Sequence, residues 1–226
     1  MSEFSPRQML QESLTIYQNS RERSLQKAVG VSSIGGCARK VYYQLIEQPE
    51  VNKTEILASL MGTFIHAGIE KAITNQDPFG DNFLIEEAVE YNGLPGHVDL
   101  YIKDQGMVVD WKTSKLANYK DFPSRQYQYQ VHIYAYLFKM SKGYDVKKVA
   151  IVSLPRDGKM PQIVEYLADY DEDFALEGIA WLENVKKRAE EKNIPEPEEY
   201  KSFCNLYCSF YDPTGQNGCP SKSKQE

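Results

Sequence analysis

The 226-residue chain has no apolar run near the length of a membrane-spanning helix. Its first residues, Met1-Ser2-Glu3-Phe4-Ser5-Pro6, lack the basic-then-apolar pattern of an export signal. Both absences set the expectation of a cytoplasmic protein with no membrane partner. Internal repeats and low-complexity linkers are missing too, which excludes a solenoid or a string of loosely joined modules. No Gly-x-x-x-x-Gly-Lys-[Ser/Thr] motif occurs, so the chain supplies no ATP-driven motor. Cysteine is scarce, with Cys37 standing far upstream of Cys204, Cys208 and Cys219. In a reducing compartment disulfides are uncommon, so a set of four reads first as a metal or cluster site.

Positive charge is in deficit as well, with 26 Lys and Arg against 32 Asp and Glu and a net charge of −6. The deficit is local. Residues 165–199 hold twelve acidic and four basic residues, which leaves 22 basic against 20 acidic elsewhere. Basic residues recur at Arg21, Arg23, Lys27, Arg39 and Lys40, and again at Lys112, Lys115, Lys120 and Arg125. Such groups suit a polyanion path and equally suit ordinary solvated helix faces.

The pattern of apolar residues, caps and turn residues predicts an α/β chain. Helices are expected over residues 5–28, opened by a Ser5-Pro6-Arg7-Gln8 capping box, and over 37–46 and 54–73. Strands are expected over 83–91, 97–103 and 107–113, punctuated by Asn92-Gly93 and Asp104-Gln105-Gly106. A tyrosine-rich helix over 125–140 follows, then strands over 148–154 and 162–167, a helix over 172–191 and an irregular tail. The chain is expected to form one domain over 1–226, with an N-terminal helical part that carries the first cysteine (1–53), a core (54–170) and a C-terminal helix with its cysteine-bearing tail (171–226).

The sharpest chemistry lies in Gly96-His97-Val98-Asp99 and Val108-Val109-Asp110-Trp111-Lys112. A turn centred between Asp104 and Gln105 puts Asp99 directly across from Asp110. Side chains opposed in this way have β-carbons about 4.5–5.5 Å apart, close enough for both carboxylates to hold one cation. Lys112, two residues beyond Asp110, leaves the same face of its strand, and Trp111 the other. Two adjacent carboxylates without a counter-ion repel, and a divalent metal resolves that conflict. A neighbouring ammonium suits an attacking water and a phosphate gaining charge, the requirements of phosphodiester hydrolysis.

Three further motifs surround this hairpin. Gly62-Thr63-Phe64-Ile65-His66-Ala67-Gly68-Ile69-Glu70 resembles the histidine motif of RecB-family nucleases of the PD-(D/E)XK class. Gln130-Val131-His132-Ile133-Tyr134 is similar to their Gln-x-x-x-Tyr motif, and Cys37 with Cys204, Cys208 and Cys219-Pro220 resembles the split cysteine set of their iron–sulfur branch. That branch includes CRISPR-associated RecB-like exonucleases and the AddB nuclease domain, and the motifs stand in family order from Cys37 to Cys219. The resemblance implies a restriction-endonuclease-like core, a mixed central sheet flanked by helices, with N-terminal helices tied to the C-terminal tail by a [4Fe–4S] cluster. It implies Mg²⁺ or Mn²⁺ on His66, Asp99, Asp110 and the Trp111 main-chain carbonyl, with Lys112 as the catalytic lysine. Gln130 and Tyr134 would support the site or contact DNA.

The implied activity is exonucleolytic cleavage of DNA, at single-stranded ends, in recombination, repair, phage DNA processing or CRISPR adaptation. Helicase, recombination or adaptation partners and a nucleoid-associated location come with that implication. A ring-shaped oligomer is compatible with it, without a residue to argue for one. A non-catalytic or structure-specific DNA-binding subunit keeping the fold and cluster stays open, as do an RNase and a zinc-based interaction protein. Three residues separate Cys204 from Cys208 where two are usual in the family, which leaves zinc open. Val98 stands where the class name has proline.

On the His66 helix, Gly62, His66 and Glu70 share one face; Gly62 is expected to admit a neighbouring backbone and Glu70 to orient His66. Tyr127, Tyr129 and Tyr136 are expected to pack, and His97 and His132 to be structural or surface residues.

Overall fold

The computed structural model of the protein describes residues 5–20, 29–199 and 202–222. Helix α1 runs Pro6–Ser20, with Gln8 N–H donating to Ser5 Oγ as the capping box requires. None of its residues is buried, and the rest of the expected 5–28 helix lies outside the described residues. The groups Arg21, Arg23 and Lys27 lie there too. A 3₁₀ turn, Val31–Ser33, leads to α2, Ala38–Leu45, and α3 runs Leu57–Thr74.

The strands are β1 Phe83–Tyr91, β2 Leu94–Ile102, β3 Met107–Ser114, β4 Lys148–Pro155 and β5 Val164–Asp169. Helix α4, Arg125–Lys142, connects β3 to β4; α5 runs Glu172–Glu190 and α6 Ser202–Tyr207. The five strands form one mixed sheet in chain order, antiparallel except for the β3–β4 pair. This is the expected restriction-endonuclease-like arrangement.

Local chemistry fixes the edges of these elements. Asn92 and Gly93 both have positive φ, as a two-residue hairpin turn demands, and lock Tyr91 opposite Leu94. That turn starts β2 at Leu94, earlier than the expected residue 97. Ser124 caps α4 by accepting the Tyr127 N–H, and Gly143 in the left-handed region ends it. Met160–Gln162 form a 3₁₀ turn, so β5 begins two residues later than expected.

The two faces of the sheet bury different things. Val98, Tyr101, Val108, Val149 and Ile151 pack under α4 and α5, where Phe138, Leu137 and Ile133 are fully enclosed. Leu100, Met107, Val109 and Ala150 form a smaller core on the other face with Trp111 and, from α3, Ile73. Trp111 therefore points away from Asp110, as expected. Strands β2 and β3 pair only from Leu100–Val109 to Ile102–Met107. Beyond Asp99 and Asp110 they part, and a cleft opens at the sheet's upper end.

His132 is 3% exposed and structural, as expected: its Nδ1 accepts the Asp171 N–H at the start of α5. Burial pushes its pKa below the usual histidine value, the Asp171 carboxylate opposing. The unfolded chain therefore binds the proton first, so this contribution to stability is intact above about pH 6.5 and lost as pH falls. Urea unfolding at pH 7.5 and 5.5 is expected to show a smaller acid loss in His132→Gln than in wild type.

The tail returns to the N-terminal helices. Val51 and Asn52 N–H donate to Ser209 O, Glu55 N–H to Leu206 O, and Arg39 Nε to Pro195 O. Among the described residues no helix is long and apolar enough to cross a membrane.

Candidate active site

The parting of β2 and β3 leaves the Trp111 N–H without a ladder partner, and Asp99 Oδ2 accepts it at 2.7 Å. Asp99 is thereby fixed beside Asp110, and both carboxylates are buried, 4% and 1% exposed. On the same face Lys112 Nζ lies 2.6 Å from Asp110 Oδ2 and donates to Gln130 Oε1 at 2.9 Å. Gln130 Nε2 in turn donates to Asp110 Oδ1 at 3.2 Å and to Tyr134 Oη at 3.1 Å. Lys112 Nζ also sits 5.0 Å from the centre of the Tyr127 ring, a cation–π contact. Tyr127, Gln130 and Tyr134 lie three and four residues apart on one face of α4, which is how one helix reaches the strand three times.

Burial raises the Asp110 pKa to about 6, the Asp99 charge adding to the rise while Lys112 opposes it. The partner of Asp110 Oδ2 is the Lys112 ammonium, in a charge-assisted contact at 2.6 Å. His66 Nδ1 stands 3.7 Å from Asp99 Oδ2, and the carboxylate raises its pKa against the opposing effect of burial. The expected His66, Asp99, Asp110, Lys112, Gln130 and Tyr134 thus line one cleft of about 460 Å³. Gly96 lies under them: a Cβ there would meet the Tyr134 ring at 3.0 Å, so the motif glycine makes room for α4.

Two expectations, on Gly62 and Glu70, need correction. A Cβ on Gly62 would meet only Thr113 Oγ1, at 3.7 Å, so no backbone approaches it; it borders an open groove instead. Asp99, not Glu70, is the carboxylate facing His66, and Glu70 lines the groove one turn away. Three of the basic residues that suit either a polyanion path or solvated helix faces have partners within the chain. Arg39 holds Pro195 O, Lys40 lies over the Phe203 ring, and Arg125 pairs with Glu177 at 2.7 Å. His97, left as a structural or surface residue, is half-buried and lines the cleft.

Sequence reasoning missed Glu86. It stands across β1–β2 from Asp99, and its carboxylate, His66 and Asp99 offer ligand atoms within 4.8 Å of one another. The signal was present in the Asn92-Gly93 turn, whose two-residue register places position 86 opposite position 99. The cleft wall formed by Ser32, Ser33 and Gln44 was also missed, because the long-range contact of Gln126 Nε2 with Ser32 O holds the 3₁₀ turn there.

Cys37, Cys204, Cys208 and Cys219 line a second, small pocket together with Lys40 and Glu198. Burial pushes the Cys37 thiol up to about 11 and the Cys208 thiol up as well, the Cys219 sulfur adding to both. Cys37 and Cys208 are therefore not the low-pKa thiols of a catalytic nucleophile.

The sequence profile of the PD-(D/E)XK nuclease superfamily matches residues 78–212, more than half of the chain. The chain belongs to that superfamily. Its fold is similar to that of the solved structure of SSO0001, with a TM-score of 0.54 and 18% identity over 92% of this chain and 95% of that one. It is also similar to LHK-Exo, an alkaline exonuclease of Laribacter hongkongensis solved with dAMP. There the TM-score is 0.50 and the identity 12%, over 74% of this chain and 90% of that one. No curated protein matches the sequence.

Proposed function

We propose that the protein is a Mg²⁺- or Mn²⁺-dependent DNA exonuclease of the RecB-like, iron–sulfur branch, acting on single-stranded ends in the cytoplasm. One observation carries the reading: a buried carboxylate, Asp110, tied to Lys112 and Gln130 beside a second buried carboxylate in an open cleft. A purely structural pair gains little from so costly a burial.

The donor set suits a hard divalent cation, since an imidazole nitrogen and carboxylate oxygens converge. His66, Asp99, Asp110 and the Trp111 carbonyl would hold it, and when bound it would polarise the phosphate and offset developing charge. Lys112 presents its ammonium to the phosphate oxygens and orients the attacking water. Gln130 keeps that ammonium in place by accepting from it while donating to Asp110. Tyr134 fixes the Gln130 amide in turn.

The reading separates from its alternatives on linear and covalently closed circular single-stranded DNA, each incubated with Mn²⁺ or with EDTA. Progressive loss of the linear strand from its labelled end, with the circle intact, is expected. Cutting of the circle makes the protein an endonuclease, and binding without cleavage of either makes it a DNA-binding subunit.

A [4Fe–4S] cluster on the four cysteines that line the second pocket would staple α2 to the tail. Protein purified anaerobically is expected to carry about four iron and four sulfide per chain, lost in Cys37→Ala. Zinc in place of iron would contradict the cluster.

A further inference from the structure

We propose that Glu86 is a further ligand of the divalent cation, which then lies beneath three carboxylates contributed by three adjacent strands. The assignment rests on the nuclease reading above and extends its ligand set.

The placement follows from two registers. The Asn92-Gly93 turn pairs Tyr91 with Leu94, and the flanking pairs Ile85–Leu100 and Glu87–Val98 hold Glu86 across from Asp99. The β2–β3 register, continued by one residue from Leu100–Val109, holds Asp99 across from Asp110. Glu86, His66 and Asp99 offer ligand atoms within 4.8 Å of one another, and Asp99 shares the cleft with Asp110. Glu86 departs from strand geometry at this one point, with φ of 52°, while both neighbours keep their ladder pairs. A non-glycine residue takes that conformation uncommonly, and here it accompanies a carboxylate brought to His66 and Asp99.

Charge and access agree with the placement. The three carboxylates and the Lys112 ammonium leave a charge of minus two, which one divalent cation neutralises; without Glu86 the same cation leaves an excess positive charge. Asp110 is already engaged by Lys112 and Gln130. Glu86 borders a separate groove of about 420 Å³ lined by Ser59, Gly62 and Thr63 of α3, whose short side chains leave that carboxylate reachable. His66 lines both spaces, so the cation seat joins them.

The test uses the full chain and Mn²⁺ alone, with binding read by electron paramagnetic resonance of the free ion. Glu86→Gln keeps size and polarity and is expected to weaken Mn²⁺ binding by about tenfold or more. Glu87→Gln, which removes a carboxylate paired with Lys142 at 2.8 Å on the same strand, is expected to bind as wild type does. Wild-type affinity in a folded Glu86→Gln overturns the assignment and leaves the nuclease reading standing. Wild-type protein that binds no Mn²⁺ overturns both. Should Glu86→Gln fail to fold, Glu86→Asp replaces it, with a weaker affinity expected and an unchanged one again decisive.

Discussion

Lys112→Ala is expected to lower kcat for DNA cleavage by about a thousandfold while leaving KM close to its wild-type value. The ammonium is held by Asp110, Gln130 and the Tyr127 ring, so it is already placed before substrate arrives. A group fixed in advance contributes most where charge develops, at the phosphate in the transition state, and little to ground-state binding. Single-turnover kinetics on end-labelled DNA read the two constants separately. A variant that loses affinity while keeping kcat would make Lys112 a binding residue. Arginine is not expected to rescue it, because the cradle fits a compact ammonium rather than a planar fork.

The second large effect is on stability. Burial lifts the Asp110 carboxyl to about 6, above its ordinary value of 3.8, so the native state binds the proton more tightly than the unfolded chain. Stability of the metal-free protein from this group is therefore highest at low pH and falls as pH rises from about 4 through about 6. At pH 7.5 the buried charge remains as a cost. Asp110→Asn removes it and is expected to raise the melting temperature of EDTA-treated protein by about 5 °C.

Mn²⁺ acts on the same charge from the other side. At about a hundred times its Kd it adds about 2.7 kcal/mol to wild type, or about 5–10 °C in a chain of this size. In Asp110→Asn most of that gain should vanish. Calorimetric scans with and without Mn²⁺ check both halves. An Asp110→Asn protein that melts lower than wild type in EDTA would contradict the cost assigned to this carboxylate. His132 pulls the opposite way over an overlapping pH range, so the comparison belongs at fixed pH between variants.

The hairpin that carries Asp99, Asp110 and Lys112 was legible because turn position and strand period fix it locally. The α4 stripe was legible for the same reason, since Gln130 and Tyr134 fall on one helical face by spacing alone. Glu86 needed a second register, from Asn92-Gly93, combined with the first. The fate of Arg39, Lys40 and Arg125 was not legible: charge says nothing of whether a partner is a carbonyl, a ring or Glu177. The wall at Ser32 depends on Gln126, 94 positions on, and the return of the tail on contacts 156 positions apart, as in Arg39 to Pro195 or Asn52 to Cys208. No local pattern encodes that closure. The thiol set hinted at it by chemistry alone, as one cysteine early and three late.

The most direct test of the central claim is degradation of end-labelled single-stranded DNA by anaerobically purified protein in Mn²⁺, beside Asp110→Ala and an EDTA control. Cleavage that requires Mn²⁺ and disappears in Asp110→Ala, with DNA still bound, is the predicted result. Cleavage that survives the substitution would contradict a catalytic centre at the parting of β2 and β3.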